Sequence, residues 1–316
     1  MSVLSNYKQD KNGFYLLDKD AIRLGKPLYY HKGITPIMIG DDKFYFKRAS
    51  LYGKKTAKAL HKKGIANNNT IAGADFFMLS EVYYSKLAKR FGINSVDYSL
   101  VSIDGKRGVI SNDFAAMQDG KSGDLSEILG ITTSYCRDDL RFLHKSGFFE
   151  SCDERVLTSF EVLSMFDFAT FQFDRNNGNV AIAKDGSNQF NKVIGLDYAN
   201  NGVAFHIARP EDKFLFGLDK KYRTTMGIDK TDSSVEKYLY DITHSQYIRP
   251  ETIKYFLDTL DDSLVNNKVF TEIHNEIAEE YDIGKDKAFS LFETRLRTAM
   301  EINGEKLERA FNEREM

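Results

Sequence analysis

Asp174 and Asn179 are separated by four residues in the stretch "FDFATFQFDRNNGNVAIA", and Asp197 ends the apolar run "KVIGLD" 23 residues after Asp174. Two carboxylates and a carboxamide at such spacings suit phosphoryl transfer. One carboxylate orients or accepts the proton of an attacking hydroxyl, while an asparagine oxygen and a second carboxylate hold Mg²⁺ on nucleotide phosphates. Gly178 lets the loop turn tightly enough for Asn179 and Asp197 to face one ion. Taken alone, the cluster "DRNNGN" equally suits a turn at a helix end, where Asn and Gly dominate. An EF-hand reading fails, because Gly178 stands fifth, Asn179 sixth, and the twelfth position holds no glutamate.

The context of the cluster favours the phosphoryl-transfer reading. The order is helix, D-x-x-x-x-N, strand, turn, strand, Asp, and the protein-kinase catalytic loop has the same Asp-to-Asn spacing before a metal-binding Asp. A kinase also needs a strand lysine for the phosphates and a helix glutamate to position it. Lys47 in "KFYFKRA" alternates with Phe44 and Phe46, so it shares a face with Tyr45. Glu81 in "FFMLSEVYYSKLAKRFGI" is the matching glutamate. In isolation each equally suits a solvated charge. The later run "GVISNDF" then joins the lobes, with the backbone from Ile110 to Asn112 meeting adenine.

The elements that must position these residues fall into two parts. Up to residue 113 the chain reads as a small strand-rich lobe with one main helix. "TPIMIG" and "KFYFKRA" are short β-rich runs, as is "PLYYHKG", and "IGDDKFYF" predicts a hairpin with Asp41 and Asp42 in its turn. Phe76, Leu79, Tyr83 and Leu87 recur at helical spacing and predict a helix from Ala74 to Phe91. "GINSVDYSLVSIDGKRGVISNDF" predicts two strands joined at Asp104-Gly105. From residue 114 to 316 the chain reads as a larger, mostly helical lobe. Ser151 and Glu154 form a candidate capping box for the helix that runs into the Asn/Gly cluster. Later helices carry apolar stripes at Val235–Ile242, Ile253–Leu260, Phe270–Ile277 and Phe289–Met300, and these read as core packing. The fold class expected is α+β with two lobes, in the manner of protein kinases.

Composition sets outer bounds. The 316 residues hold 44 basic and 46 acidic side chains, for a formal charge of −2. That balance argues against a general nucleic-acid binder. Cys136 and Cys152 make no metal or disulfide pattern, which fits a reducing compartment. No run is apolar enough to cross a membrane, and the start lacks the apolar centre of a secretory signal. A cytoplasmic protein is expected, or an effector translocated without a signal peptide.

Three stretches, "LSEVYYSKLAKRFGI", "FDFATFQFDRNNGNVAI" and "VIGLDYANNGVAF", occur in that order and resemble the HipA-type serine/threonine kinases. They are also similar to the CtkA-type bacterial kinases and the phosphatidylinositol 3/4-kinases. The resemblance covers roughly residues 40 to 205. It implies Asp174 as catalytic base, Asn179 and Asp197 as metal ligands, and Lys47 and Glu81 as the phosphate-binding lysine and its partner. ATP and Mg²⁺ are the implied cofactors, and a protein the implied substrate. No G-x-G-x-x-G loop and no D-F-G are present. Lys54, Lys55, Lys58, Lys62 and Lys63 lie in a basic stretch that could meet phosphates or solvent. A lipid or small-molecule kinase, an AMP transferase and a non-catalytic kinase-like binding module stay open as alternatives.

Overall fold

The structure, a computed structural model, describes residues 3–11, 13–25, 34–48, 62, 71–112, 122–124, 143–172, 179–184, 189–196, 198, 248–281 and 287–315. The expected strand "PLYYHKG", most of the basic stretch, Asp174, Asp197 and the Val235–Ile242 helix lie outside these residues.

The strands are β1 (Tyr15–Leu17), β2 (Ile22–Leu24), β3 (Ile34–Ile39), β4 (Asp42–Arg48), β5 (Asn94–Ser95), β6 (Tyr98–Ile103), β7 (Lys106–Asn112), β8 (Ser122–Asp124), β9 (Val180–Lys184) and β10 (Phe190–Gly195). Six of them form one sheet in the order β1-β6-β7-β4-β3-β2. Only the β1–β6 pairing in it is parallel. Alternation along the strands gives the sheet two different faces. Ile37, Ile39, Phe46, Val101, Ile103 and Ile110 pack on one side with Leu4, Leu17 and Ile22. Leu100 and Val109, paired across β6 and β7, face the other way into the main core.

The turns follow glycine. Ile39 pairs with Asp42, so the β3–β4 turn is Gly40-Asp41 and Asp42 is already in the strand. This differs from the expected Asp41-Asp42 turn. Gly40 has φ +62, a conformation that glycine takes without a Cβ to strain, so the chain reverses one residue earlier. At Asp104 (φ 48) and Gly105 (φ 73) both turn residues are left-handed. That geometry matches the right-handed twist of the β6–β7 hairpin, and Asp-Gly is a favoured pair for it.

Helix α1 spans Ile71–Arg90, three residues earlier at its start than the apolar spacing predicts. Gly92 (φ +74) ends it, with Ile93 N–H donating to the Ala88 carbonyl at 3.0 Å and Gly92 N–H to that of Lys89 at 3.1 Å. This is the paired hydrogen-bond closure that a left-handed glycine permits.

Helix α2 (Glu154–Ala169) is preceded by a short 3-10 turn, Phe148–Ser151. Its N-cap is Asp153, whose carboxylate accepts from Arg155 N–H at 2.9 Å. The expected Ser151–Glu154 box does not form. Ser151 Oγ instead donates to the Phe148 carbonyl at 2.8 Å, closing the 3-10 turn, and extended Cys152 moves the helix start to Asp153. The remaining helices are α3 (Pro250–Val265), α4 (Lys268–Glu280) and α5 (Lys287–Glu315). A second sheet, β5-β10-β9-β8, lies against α2. One large core runs through Tyr83, Phe166, Phe256 and Phe292, so α1 is packed among the C-terminal helices as well as on the first sheet.

Candidate active site

Strand β4 sits inside the six-stranded sheet, paired with β3 on one side and β7 on the other. Phe46 turns to the small core, so Lys47, its neighbour, turns toward α1. Tight strand packing fixes this stretch. A Cβ on Gly108 of β7 would meet the Phe46 ring and the Lys47 carbonyl. Lys47 Nζ lies 3.3 Å from Glu81 Oε1 and 3.4 Å from Oε2, and so straddles the carboxylate. The Glu81 side chain is 1% exposed and that of Lys47 25%. A buried carboxylate needs a cation or several donors beside it. The ammonium fills that need, and the Lys47 side chain as a whole stays partly exposed.

Ile110 lies in the middle of β7, opposite Phe46 on one side and Ser99 on the other, with its side chain in the small core. Asn112 ends the strand, and its Oδ1 accepts from Asp97 N–H at 3.0 Å.

Asn179 is 8% exposed and directly precedes β9. The β9–β10 ribbon is antiparallel with Val180 opposite Gly195, and Leu196 N–H donates to the Asn179 carbonyl at 2.9 Å. Residues 179 and 196 are therefore cross-strand neighbours at one end of the ribbon. Asp174 and Asp197 are outside the described residues, five and one positions along the chain from Asn179 and Leu196.

The end of α2, which leads into "DRNNGN", is held in ways that periodicity does not reveal. Asn303 of α5, fully buried, donates Nδ2–H to the carbonyls of Phe168 (3.1 Å) and Ala169 (3.3 Å). The Phe168 carbonyl also accepts from Phe171 N–H at 3.3 Å, so Asn303 adds a donor to the last helical turn, where carbonyls run short of intrahelical partners. Thr170 Oγ1 donates to the Phe166 carbonyl at 2.7 Å, and Tyr84 of α1 donates to the Thr170 carbonyl, also at 2.7 Å. Phe171 then takes φ +58, which costs a residue with a Cβ and persists only under constraint. The sequence signals available were adjacency alone: Tyr84 is three residues from Glu81, and Thr170 four from Asp174. Asn303, on α5, carries no such signal.

No group of three or more His, Cys, Asp or Glu side chains among the described residues forms a metal cage. The ligands expected for Mg²⁺ include Asp197, beyond those residues. The donor set is otherwise compatible, with a largely buried carboxamide residue at the ribbon end and an ion-paired lysine on the sheet.

No protein-family model matches the sequence, and no curated protein matches it. Solved structures do match. HipA of Shewanella oneidensis MR-1, in a complex with HipB and its operator DNA, aligns with 92% of this chain and 66% of its own at a TM-score of 0.52 and 10% identity. CtkA, a proinflammatory kinase of Helicobacter pylori, aligns with 94% of this chain and 97% of its own at a TM-score of 0.47 and 12% identity. The fold is thus kinase-like, with a strand-rich N-terminal part and a helical C-terminal part, and it resembles HipA in architecture.

Proposed function

We propose that this protein is an ATP-dependent phosphotransferase, and that its acceptor is a serine or threonine hydroxyl of another protein. The observation that carries the proposal is the Lys47–Glu81 ion pair, which joins a sheet lysine to a buried helix glutamate 34 residues away. In phosphoryl transfer such a pair holds the nucleotide phosphates in line with the acceptor. Lys47 is assigned to the phosphates, Glu81 to Lys47, and the backbone from Ile110 to Asn112 to adenine. Asn179 and Asp197 are assigned to Mg²⁺, on the strength of the ribbon register that sets residue 179 opposite 196. Bound there, Mg²⁺ would offset charge on the phosphate oxygens.

Asp174 takes the hydroxyl proton as the acceptor oxygen forms its bond to the γ-phosphorus. The bond from that phosphorus to the β–γ bridging oxygen breaks, and ADP leaves with the electron pair. A cytoplasmic setting suits the free thiol of Cys152.

The test is incubation of the purified protein with labelled ATP and Mg²⁺, with mass spectrometry of protein, lipid and small-molecule products. A phosphorylated protein hydroxyl is expected, and transferred AMP or a phosphorylated lipid would overturn the assignment of reaction or acceptor. Asp174→Asn should keep Mg·ATP affinity within a few-fold while transfer falls by about 10²- to 10⁴-fold. Asp197→Ala should weaken Mg·ATP binding itself. Equal loss of nucleotide binding in both variants would make Asp174 a metal ligand instead of the base.

A further inference from the structure

We infer that Tyr84 is a positioning residue that locks the Glu81 helix, the end of α2 and the segment containing Tyr198 into one unit beneath the proposed site. The inference rests on the phosphotransferase reading for its catalytic consequence, and on geometry alone for its structural one.

Tyr84 lies three residues after Glu81 on α1, so the two side chains are neighbours along the helix surface. Its hydroxyl donates to the carbonyl of Thr170, the residue that caps the C-terminal end of α2. Thr170 has φ −94 and ψ 4, outside the helix, so its carbonyl lies beyond the intrahelical hydrogen bonds of α2. The bond is buried, with an ordinary O···O distance of 2.7 Å.

The ring of Tyr84 makes a separate connection. It stacks on the ring of Tyr198, centroids 6.3 Å apart and planes 30° from parallel. Tyr198 is fully buried and directly follows Asp197 in the chain. Its hydroxyl lies close over Gly195, where a Cβ would collide with it. Phe166 of α2 meets Tyr198 edge-on at 6.5 Å, closing the contact from the α2 side. One side chain therefore touches both chain segments that flank the proposed base and metal ligand, from the helix that carries the glutamate partner of Lys47.

The hydroxyl and the ring are separable. Tyr84→Phe removes the bond to Thr170 and leaves the stack on Tyr198. Tyr83→Phe is the matched control. Tyr83 is equally buried, but its ring packs edge-on against Phe289 and Phe292 and its hydroxyl faces Glu293, all three on α5.

The experiment measures steady-state transfer, Mg·ATP affinity and backbone amide exchange for wild type, Tyr84→Phe and Tyr83→Phe, at a temperature where all three are folded. Tyr84→Phe is expected to lower kcat roughly tenfold, the scale of one buried hydrogen bond, with KM for ATP within about twofold. Amides of residues 170–172 and 198 should exchange roughly tenfold faster, with those of α3 unchanged. Tyr83→Phe should keep wild-type kcat and wild-type exchange at these amides. Unchanged exchange at residues 170–172 in Tyr84→Phe overturns the inference, as does an unchanged kcat in an active wild type. If the wild type transfers nothing, the functional proposal fails, and the exchange result alone decides the role of Tyr84.

Discussion

Lys47 serves the protein even before any nucleotide arrives. Glu81 is 1% exposed, and the ammonium of Lys47 is the cation placed against it. Lys47→Met would remove the ion pair that Lys47 makes with that carboxylate, which should cost about 2–3 kcal/mol, discounted from a fully buried pair because Lys47 is a quarter exposed. The double variant Lys47→Met/Glu81→Leu should recover most of that stability in urea unfolding and still fail to transfer phosphate. If the single variant is as stable as wild type, the pair does not compensate burial. Asp153 gives a pH-dependent test. Hydrogen bonds from the Arg155 side chain and backbone lower its pKa from 3.8 to about 2. A depressed carboxylate stabilises the folded state above its unfolded pKa and ceases to as pH falls through the folded one. Asp153→Ala should therefore melt earlier than wild type at pH 6, and the difference should shrink between about pH 4 and pH 2. A difference independent of pH would place the stabilisation elsewhere than in the charge.

Strand and helix packing sets where these side chains stand. Gly108 allows β7 to approach β4 so closely that a Cβ would strike the Phe46 ring and the Lys47 carbonyl. The carbonyl cannot rotate away without breaking the ladder, so Gly108→Ala should destabilise by about 1–3 kcal/mol, the cost of overpacking. Because the strike falls on Lys47 itself, nucleotide affinity should drop as well. Thermal melts with and without Mg·ATP check both effects, and an unshifted melt with full nucleotide response would contradict the close approach. At the far end of the C-terminal region, Glu161 of α2 is wholly buried and accepts from Arg249 N–H, the Arg249 guanidinium and Thr252 Oγ1 at the start of α3. That network caps α3 from another helix, since Arg249 as N-cap makes no side-chain cap of its own.

The whole molecule is organised around α1. It packs on β6 of the first sheet and on α4, and meets α5 through the rings of Tyr83 and Tyr84. Lys86 and Arg90 add ion pairs to Glu276, and Tyr281 at the end of α4 accepts from Leu100 N–H of β6 at 3.2 Å. The helix that carries Glu81 is thus held by the C-terminal helices as much as by its own sheet. Phe292 meets Tyr83, Tyr84 and Phe289 at this junction. Phe292→Ala should cost about 3–5 kcal/mol as a buried aromatic truncation. Because the cavity opens beneath α1, transfer activity should fall more steeply with temperature than in wild type. Urea unfolding and activity between 15 and 35 °C test the two parts, and a loss under about 1 kcal/mol would show that the junction repacks.

What the sequence determined by itself was local. Alternation placed Lys47 opposite Phe46, helical spacing found α1 and α3 to α5, and Asp-Gly at 104–105 marked its hairpin, because each signal lies within a few residues of chain. The spacing of Asp174, Asn179 and Asp197 supplied the chemical proposal in the same way, before any neighbour in space was known. Tertiary structure decided what depends on distant partners. Glu81 is buried and paired because α1 is wrapped by helices some two hundred residues further on. Asp153 displaced Ser151 as cap because the 3-10 turn before it used the serine hydroxyl. Tyr84 and Asn303 reached the end of α2 across 86 and 135 residues, a separation over which no periodic pattern in the chain carries information.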